Sequence, residues 1–498
     1  MILISNSQEE ESKHLIPEEP KTSPKWWVMF GIGMGVFMFA LDVYIVNLAL
    51  PTMVESLHTS FATIQWVVLS YLLAVAVFVL SASQLGDIFS KKRLYIIGLI
   101  VFTISSLLCG LAPTIGFLIA SRFFQGLGAA FLSGLGTAII VEAFPPEQRG
   151  LGLGIRAGVF GLGIMSGPTV GGFLIGLGGW PLIFLVNVPI GIIASLIVAR
   201  VVPNQDVNVA KLRFDIIGTL ILTLTLTSFT LGMTLLQSLG FISLGVLAFL
   251  VLSILGLVCF LVLESRLYQP MLDLEIFRSL EFSLGLGLRF IGNFVMGGAI
   301  FMLPFFFELV KHYSTQQAGL LLAVPPIIIA LTAPVAGILS DRFGARIVSL
   351  IGLTFMAIGC WSISNFNTEL TMLRYTFGII PYAFGVGMFQ SPNNSAIMGA
   401  APQERLGIAS GLLSLSRILG QMVGVPLVGT LFSLVTIKKA QLADFIDVTN
   451  ASPQMLVFGM QSTFRIIAVL LTASVIVAAL LWWQSNRKLK ISAKVLLN

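Results

Sequence analysis

Charge is what this sequence has least of. Only 10% of its 498 residues are Asp, Glu, Lys or Arg, where soluble domains carry about 25%. That scarcity excludes a soluble globular chain. Cysteine and histidine are rarer still, with three of each. Cys109, Cys259 and Cys360 all fall in apolar stretches, so neither a disulfide framework nor a cysteine metal site is expected. His14, His58 and His312 stand far apart and read as end or loop residues rather than ligands. No glycine-rich stretch ends in Gly-Lys-Ser/Thr, which argues against a nucleotide-driven pump. No nucleophile–base pair or metal cluster stands out, so no enzyme, catalytic residue, metal or cofactor is expected. The first 25 residues are acidic, with Glu9, Glu10, Glu11, Glu18 and Glu19. They do not read as a secretory signal, and a cytoplasmic tail is expected there.

What fills the chain is apolar: 56% of residues are hydrophobic and the mean hydropathy is +0.98. A bilayer core takes about 20 apolar helical residues. Fourteen runs meet that length, near 26–50, 61–83, 94–112, 114–141, 152–178, 180–200, 214–236, 240–263, 282–310, 315–340, 346–365, 371–399, 406–434 and 461–484. The fold class expected is therefore an all-α polytopic membrane protein, with its partner the lipid bilayer of the cell (plasma or inner) membrane. Cytoplasmic loops attract Lys and Arg. With the N-terminus placed inside, 20 of the 28 Lys and Arg fall at cytoplasmic segments or their edges, three fall in outer loops and five lie within spans. One span too many or too few would invert that bias downstream, so both termini are expected in the cytoplasm. The basic charge is a topology signal of this kind, and no nucleic-acid partner is expected.

The chain also repeats. Asp87 with Lys91-Lys92-Arg93 follows span 2, and Asp341-Arg342 with Arg346 follows span 10. Pro145-Pro146-Glu147-Gln148-Arg149 is echoed by Pro402-Gln403-Glu404-Arg405. Two homologous six-helix halves would produce this. The expected domains are a tail at 1–25, a first half at 26–201, a linker with two extra helices at 202–281, a second half at 282–484 and a basic tail at 485–498.

One acid, Asp42, sits mid-span. A carboxylate in hydrocarbon is costly unless paired or protonated, and so marks a functional site. Asp42 lies nine residues before Pro51, and Arg122 eight after Thr114. At 1.5 Å per residue both are about 12–13 Å below the outer surface. They are expected to pair, and the protonation state of Asp42 would then depend on conformation, as proton coupling needs. A static structural ion pair is the competing reading. Gln65, Tyr71 and Gln125 are polar neighbours, read either as holders of water or substrate or as ordinary interhelical hydrogen bonds. Gly163, Gly167 and Gly171, with Pro168, let helices approach closely and bend, which suits a gate or plain packing. Gly420, Gly424, Pro426 and Gly429 echo them. In the second half Arg417 falls deep in span 13 with no nearby acid, which favours an anionic or zwitterionic substrate or pairing with carbonyls. Asn293, Gln390, Asn393, Asn394 and Gln421 supply further polar groups.

These motifs carry a specific resemblance. Leu41 to Pro51, the Asp87 loop, Arg122-Phe123-Phe124-Gln125-Gly126, Gly163 to Gly172, and Trp180 to Pro189 occur in order. Together they resemble the 14-helix drug:proton antiporters of the major facilitator superfamily. The resemblance implies a proton-coupled exporter of amphipathic drug-like small molecules, working as a monomer by alternating access. A dedicated exporter of a metabolite, siderophore or lipid is the alternative, and a non-transporting receptor or assembly factor on the same scaffold a third reading. It implies proton coupling at Asp42 and Arg122. It also implies gating at Gly163, Gly167, Pro168 and Gly171 and at the loop residues Asp87, Arg93, Glu147, Arg149, Asp341 and Arg342. Ser83 and Ser90 depart from the loop motif's glycines, and Tyr44 replaces a small Thr. Tyr44 and Asn47 would then face the substrate.

Overall fold

The computed structural model describes residues 25–145, 148–203, 216–239, 243–267, 274–402, 406–440 and 447–496. They form fourteen long helices: α1 Lys25–Ser56, α2 Phe61–Ile88, α3 Lys91–Gly110, α4 Ile115–Ala143, α5 Arg149–Gly178, α6 Leu182–Val201, α7 Ile216–Leu239, α8 Leu244–Glu264, α9 Leu280–Val310, α10 Thr315–Phe343, α11 Ala345–Ile363, α12 Met372–Ala400, α13 Leu406–Ala440 and α14 Pro453–Leu496. Thirteen are long and apolar enough to cross a membrane. The other, α12, has 29 residues but is diluted by Arg374, Gln390, Asn393 and Asn394, and it packs against α10 and α11 like its neighbours. We call the end where α1 begins the near end and the opposite end the far end.

Local chemistry sets the helix ends. Ser60, Thr114, Ser279, Ser314 and Thr371 each accept a hydrogen bond from the amide three residues on, the N-cap interaction that satisfies an orphan donor. Gly179, with φ +82°, makes the tight turn from α5 into α6, a backbone that side-chain-bearing residues rarely adopt. Pro189 cannot donate to the Leu185 carbonyl, and α6 is interrupted at Val186. One expectation changes. Helix α14 starts at Pro453 rather than near 461, since proline suits a first turn that needs no donor. Between α13 and α14 lies a single 3₁₀ turn at Val448–Asn450, with 441–446 outside the described residues.

Helices α1–α6 pack among themselves, as do α9–α14. The two groups are built alike. A Cβ on Gly163 of α5 would come 2.8 Å from the Phe37 carbonyl oxygen of α1, and one on Gly420 of α13 would come 2.6 Å from the Phe290 carbonyl oxygen of α9. The glycines thus hold α5 on α1, and α13 on α9, backbone to backbone. Helix α7 spans the seam between the groups. Its Gln237 exchanges two hydrogen bonds with Gln65 of α2 (3.0 and 3.1 Å), and its Met233 carbonyl accepts from Thr430 of α13 (3.2 Å). Helix α8 packs on α7 and turns Leu247, Val251, Ile254 and Val258 outward, as a lipid-facing helix should.

Contacts joining the two groups gather at the far end. Phe61 of α2 packs on Phe301, Phe305 and Phe432, with centroids 4.9–5.6 Å apart. Its amide donates to Asp447 (2.7 Å), and Thr52 donates to Glu308 (3.3 Å). Gly172 of α5 leaves room for the Thr315 carbonyl of α10, and Gly319 for the Pro168 carbonyl. At the near end the described ion pairs stay within one group: Lys91 with Glu142 (2.5 Å), and Arg346 with Glu281. Gly154, Gly158 and Gly161 on α5, and Gly287 on α9, face open space. The far end is closed and the near end open.

Adding a methyl group at these two kinds of glycine should separate them. Gly319→Ala must push α10 off Pro168 and is expected to lose about 1–3 kcal/mol of stability, read as a lower unfolding temperature of the purified protein. Gly158→Ala, with nothing to strike, should unfold with the parent.

Candidate functional site

Asp42 is fully buried in α1, and its three donors come from α4 and α6 of the first group. Arg122 of α4 donates from Nη1 to Asp42 Oδ2 at 2.6 Å. Gln125, one turn further along α4, donates from Nε2 to Oδ1 at 2.8 Å. Asn187, held at the break in α6, donates from Nδ2 to the same oxygen at 3.2 Å. The supporting bonds are equally complete. Arg122 Nε donates to the Val67 carbonyl of α2 (2.9 Å), and its Nη1 also reaches Gln125 Oε1 (2.6 Å). Gln125 Nε2 reaches Ser106 Oγ of α3 (2.9 Å). The guanidinium lies 4.3 Å from the centre of the Tyr71 ring and 5.6 Å from that of Phe184, a favourable cation–π stack in a dry site.

A buried charge needs both a counter-ion and hydrogen bonds. Here the ion pair supplies the first, and two carboxamides with a backbone carbonyl supply the second. Five helices meet on this one pair, so any change in its charge must be felt by all of them. The expected depth match between Asp42 and Arg122 is realised as contact. Asn187 had no role assigned from sequence. Its signal lay within the Trp180 to Pro189 motif, where an amide stands two residues before a helix-breaking proline.

The other site residues distribute as follows. Gln125 and Tyr71 belong to the ion-pair cage. Tyr44 and Asn47 line a cleft between the two groups, with Ile164 and Pro168 of α5, Met296 and Ile300 of α9, Pro325 and Pro326 of α10 and Tyr382 of α12. Gln390 sits behind the wall and donates to Met296 Sδ (3.5 Å). Asn293 donates to the Arg289 carbonyl (2.8 Å). Arg417 lies over the Phe160 ring of α5, 5.5 Å from its centre. Gln65 and Gln421 stand apart from the cleft: the first is engaged with Gln237, and the second is buried against Gly297 of α9.

Gly163, Gly167 and Gly171 all face α1, inside one group, at Phe37, Tyr44 and Ile45. The seam between groups uses their neighbours Gly172, Gly176 and Gly319. Arg93, Arg149, Asp341 and Arg342 are exposed at the near end, and no ion pair among the described residues joins them across the groups. The side chains of Ser83, Asp87 and Glu147 lie outside the described residues.

Fourteen helices, a closed far end, an open near end and a cleft between two like groups define a multi-span membrane transporter. The comparisons agree. The chain belongs to the Major Facilitator Superfamily, whose family model matches residues 32–268 and 289–495, and it resembles that superfamily's drug:proton antiporters as the motifs imply. It is 34% identical over 409 residues to the riboflavin transporter RibZ of Clostridioides difficile (strain 630), covering 82% of this chain and 88% of that one. It is 32% identical over 406 residues to the multidrug resistance protein Stp of Mycobacterium tuberculosis (strain ATCC 25618 / H37Rv), covering 81% and 75%. A crystal structure of a bacterial homologue of the human lysosomal transporter Spinster, inward-facing and unoccupied, shares the fold with a TM-score of 0.66 at 18% identity, covering 91% of this chain and 96% of that one.

Removing one member of the ion pair strands the other. Arg122→Ala is expected to destabilise the purified protein by about 3–5 kcal/mol, and the double variant Asp42→Asn, Arg122→Gln by clearly less. Equal losses in unfolding experiments would mean that the pair is not the electrostatic unit its geometry describes.

Proposed function

We propose that this chain is a proton-coupled secondary transporter of the cell membrane, exporting amphipathic drug-like molecules by alternating access. The observation that carries the reading is the caged Asp42–Arg122 pair. A buried carboxylate caged by three donors of its own group changes its proton affinity when rocking of the groups changes how much water reaches it. The cleft beside Tyr44 lies two residues away along α1, so cargo and proton sites share one helix.

The Lys and Arg bias makes the near end cytoplasmic, with both termini inside. The observed state is then open to the cytoplasm and closed outside. Cargo enters the cleft from the near side. Closing the near end and opening the far end breaks the seam of Phe61, Gly172 and Gly319. Arg93, Arg149, Asp341 and Arg342, now apart, would approach one another in that outward state, with Asp87 and Glu147, and act as its latch. Proton entry at Asp42 from outside then resets the cycle. The multidrug relatives support a broad apolar cargo. The similarly close riboflavin transporter supports a second reading, a dedicated exporter of one metabolite by the same cycle.

Reconstitution into liposomes with an imposed proton gradient tests both. Wild-type protein is expected to move at least one amphipathic compound at a rate that follows the gradient, and Asp42→Asn to reduce substrate-driven proton flux to that of empty vesicles. Flux indifferent to the gradient, or an Asp42→Asn protein that still couples, overturns the proton reading.

A further inference from the structure

Beyond the Asp42 cage, the seam between the groups holds a second set of charges, all of one sign. Arg156 lies seven residues into α5, Arg289 nine into α9 and Arg417 eleven into α13. All three helices start at the near end, so these cations stand at depths of about 10, 13 and 16 Å. Arg417 is within electrostatic range of both Arg156 and Arg289. Among the described residues no carboxylate pairs with any of the three.

Their hydrogen bonding is also incomplete. Arg289 is held by the Leu413 carbonyl (2.9 Å) and by Asn394. Among the described residues, Arg156 Nε is buried without a partner and Arg417 makes no hydrogen bond, its contact being the face of Phe160. Three guanidinium groups in buried or partly buried surroundings repel one another, and an incoming anion would relieve that repulsion.

The surroundings of Arg417 show what shape of anion fits. It lies within electrostatic range of the Tyr44 and Tyr71 phenols. Tyr71 is buried, and its hydroxyl has no hydrogen-bond partner among the described residues. Tyr44 also lines the apolar cleft. On α5, Phe160 beneath the guanidinium is followed by Ile164 and Pro168 on the same face, both in the cleft wall. On α9, Arg289 leads through Asn293 to Met296 and Ile300 in the same way. One end of the site is cationic with idle donors, and the other is apolar with two tyrosine rings.

We propose that Arg417, backed by Arg289 and Arg156, makes the cleft a site for amphipathic organic anions, the negative group at Arg417 and a flat apolar body against Tyr44 and Tyr382. The proposal rests on the transporter reading and narrows its cargo. Arg156 and Arg289 form an approach from the near side, where stepped positive charge draws an anion inward. Arg417 reads the charge through bidentate geometry that a lysine would not reproduce.

A matched pair of dyes tests this. Fluorescein and rhodamine 6G share a xanthene body and carry opposite charge. In lipid nanodiscs, with empty discs subtracted, fluorescein is expected to bind saturably by fluorescence anisotropy and rhodamine 6G at least tenfold more weakly. Arg417→Gln should weaken fluorescein at least tenfold, and Arg417→Lys should recover part of that loss. Sulfate should compete with fluorescein on the wild-type protein, which keeps the test decisive if Arg417→Gln is not monodisperse. Rhodamine binding as tight as fluorescein, wild-type affinity in Arg417→Gln, or indifference to sulfate each overturns the site. In liposomes, proton-driven movement of rhodamine 6G without fluorescein overturns the anion site and leaves antiport standing. Fluorescein binding that meets the criteria above, with no proton-coupled flux of any compound, supports the site and removes antiport.

Discussion

A charged carboxylate inside an apolar helix bundle has few solutions, and the arrangement at Asp42 is one of them. The guanidinium of Arg122 neutralises it, and Gln125 and Asn187 occupy its other oxygen. The pair contributes little net stability compared with an apolar core, because desolvating two ions offsets most of their attraction. What it provides is dependence: its donors sit on α4 and α6, and Arg122 is itself held by α2, so the acid is satisfied only while α1, α2, α4 and α6 hold this one arrangement. Ser106 of α3 closes the ring by fixing Gln125. Because the whole cage lies in one group, rocking would act on it by changing how much water reaches Asp42 rather than by separating its members.

The rest of the architecture follows from keeping that first group intact while it moves as a body. Glycines on α5 let it lie directly on α1, and those on α13 do the same on α9, so each group is stiff inside. The seam between the groups is lighter. It is made of phenylalanine edges at Phe61, a Thr52–Glu308 hydrogen bond and a few close backbone approaches at Gly172 and Gly319. Rigid groups joined by a separable seam are the mechanical condition for alternating access. Helix α7, tied by Gln237 to α2 and by Met233 to α13, bridges the seam from outside and must tolerate or limit that movement.

Much of this was legible in the residues. Fourteen apolar runs, counted against the Lys and Arg bias, placed all fourteen helices, with α14 starting earlier than its apolar run, because membrane spans are set by length and hydropathy. The Asp42–Arg122 contact followed from matching depths on antiparallel helices. What could not be read was direction around a helix axis. Gly163, Gly167 and Gly171 suited a gate or plain packing alike; they face α1, while Gly172, one residue on, meets α10. Gln65 suited a pocket or an interhelical hydrogen bond alike; it bonds an inserted helix 172 positions away. Asn187 was hidden because its place beside Asp42 depends on the break in α6 and on how that helix leans against α1. Such partners are fixed by tertiary packing, which spacing along one helix does not encode.

The central claim is that the charge state of Asp42 decides which end of the protein is open. Spin labels at Leu153 on α5 and Phe343 on α10, both exposed toward the near end, report that opening as a distance between the two groups. Electron–electron double resonance across a pH series is the direct measurement, with Cys259 replaced. The account predicts that the wild-type distance distribution shifts between two populations as pH is lowered, and that Asp42→Asn holds one population at every pH. An Asp42→Asn protein that follows pH as the wild type does would contradict it.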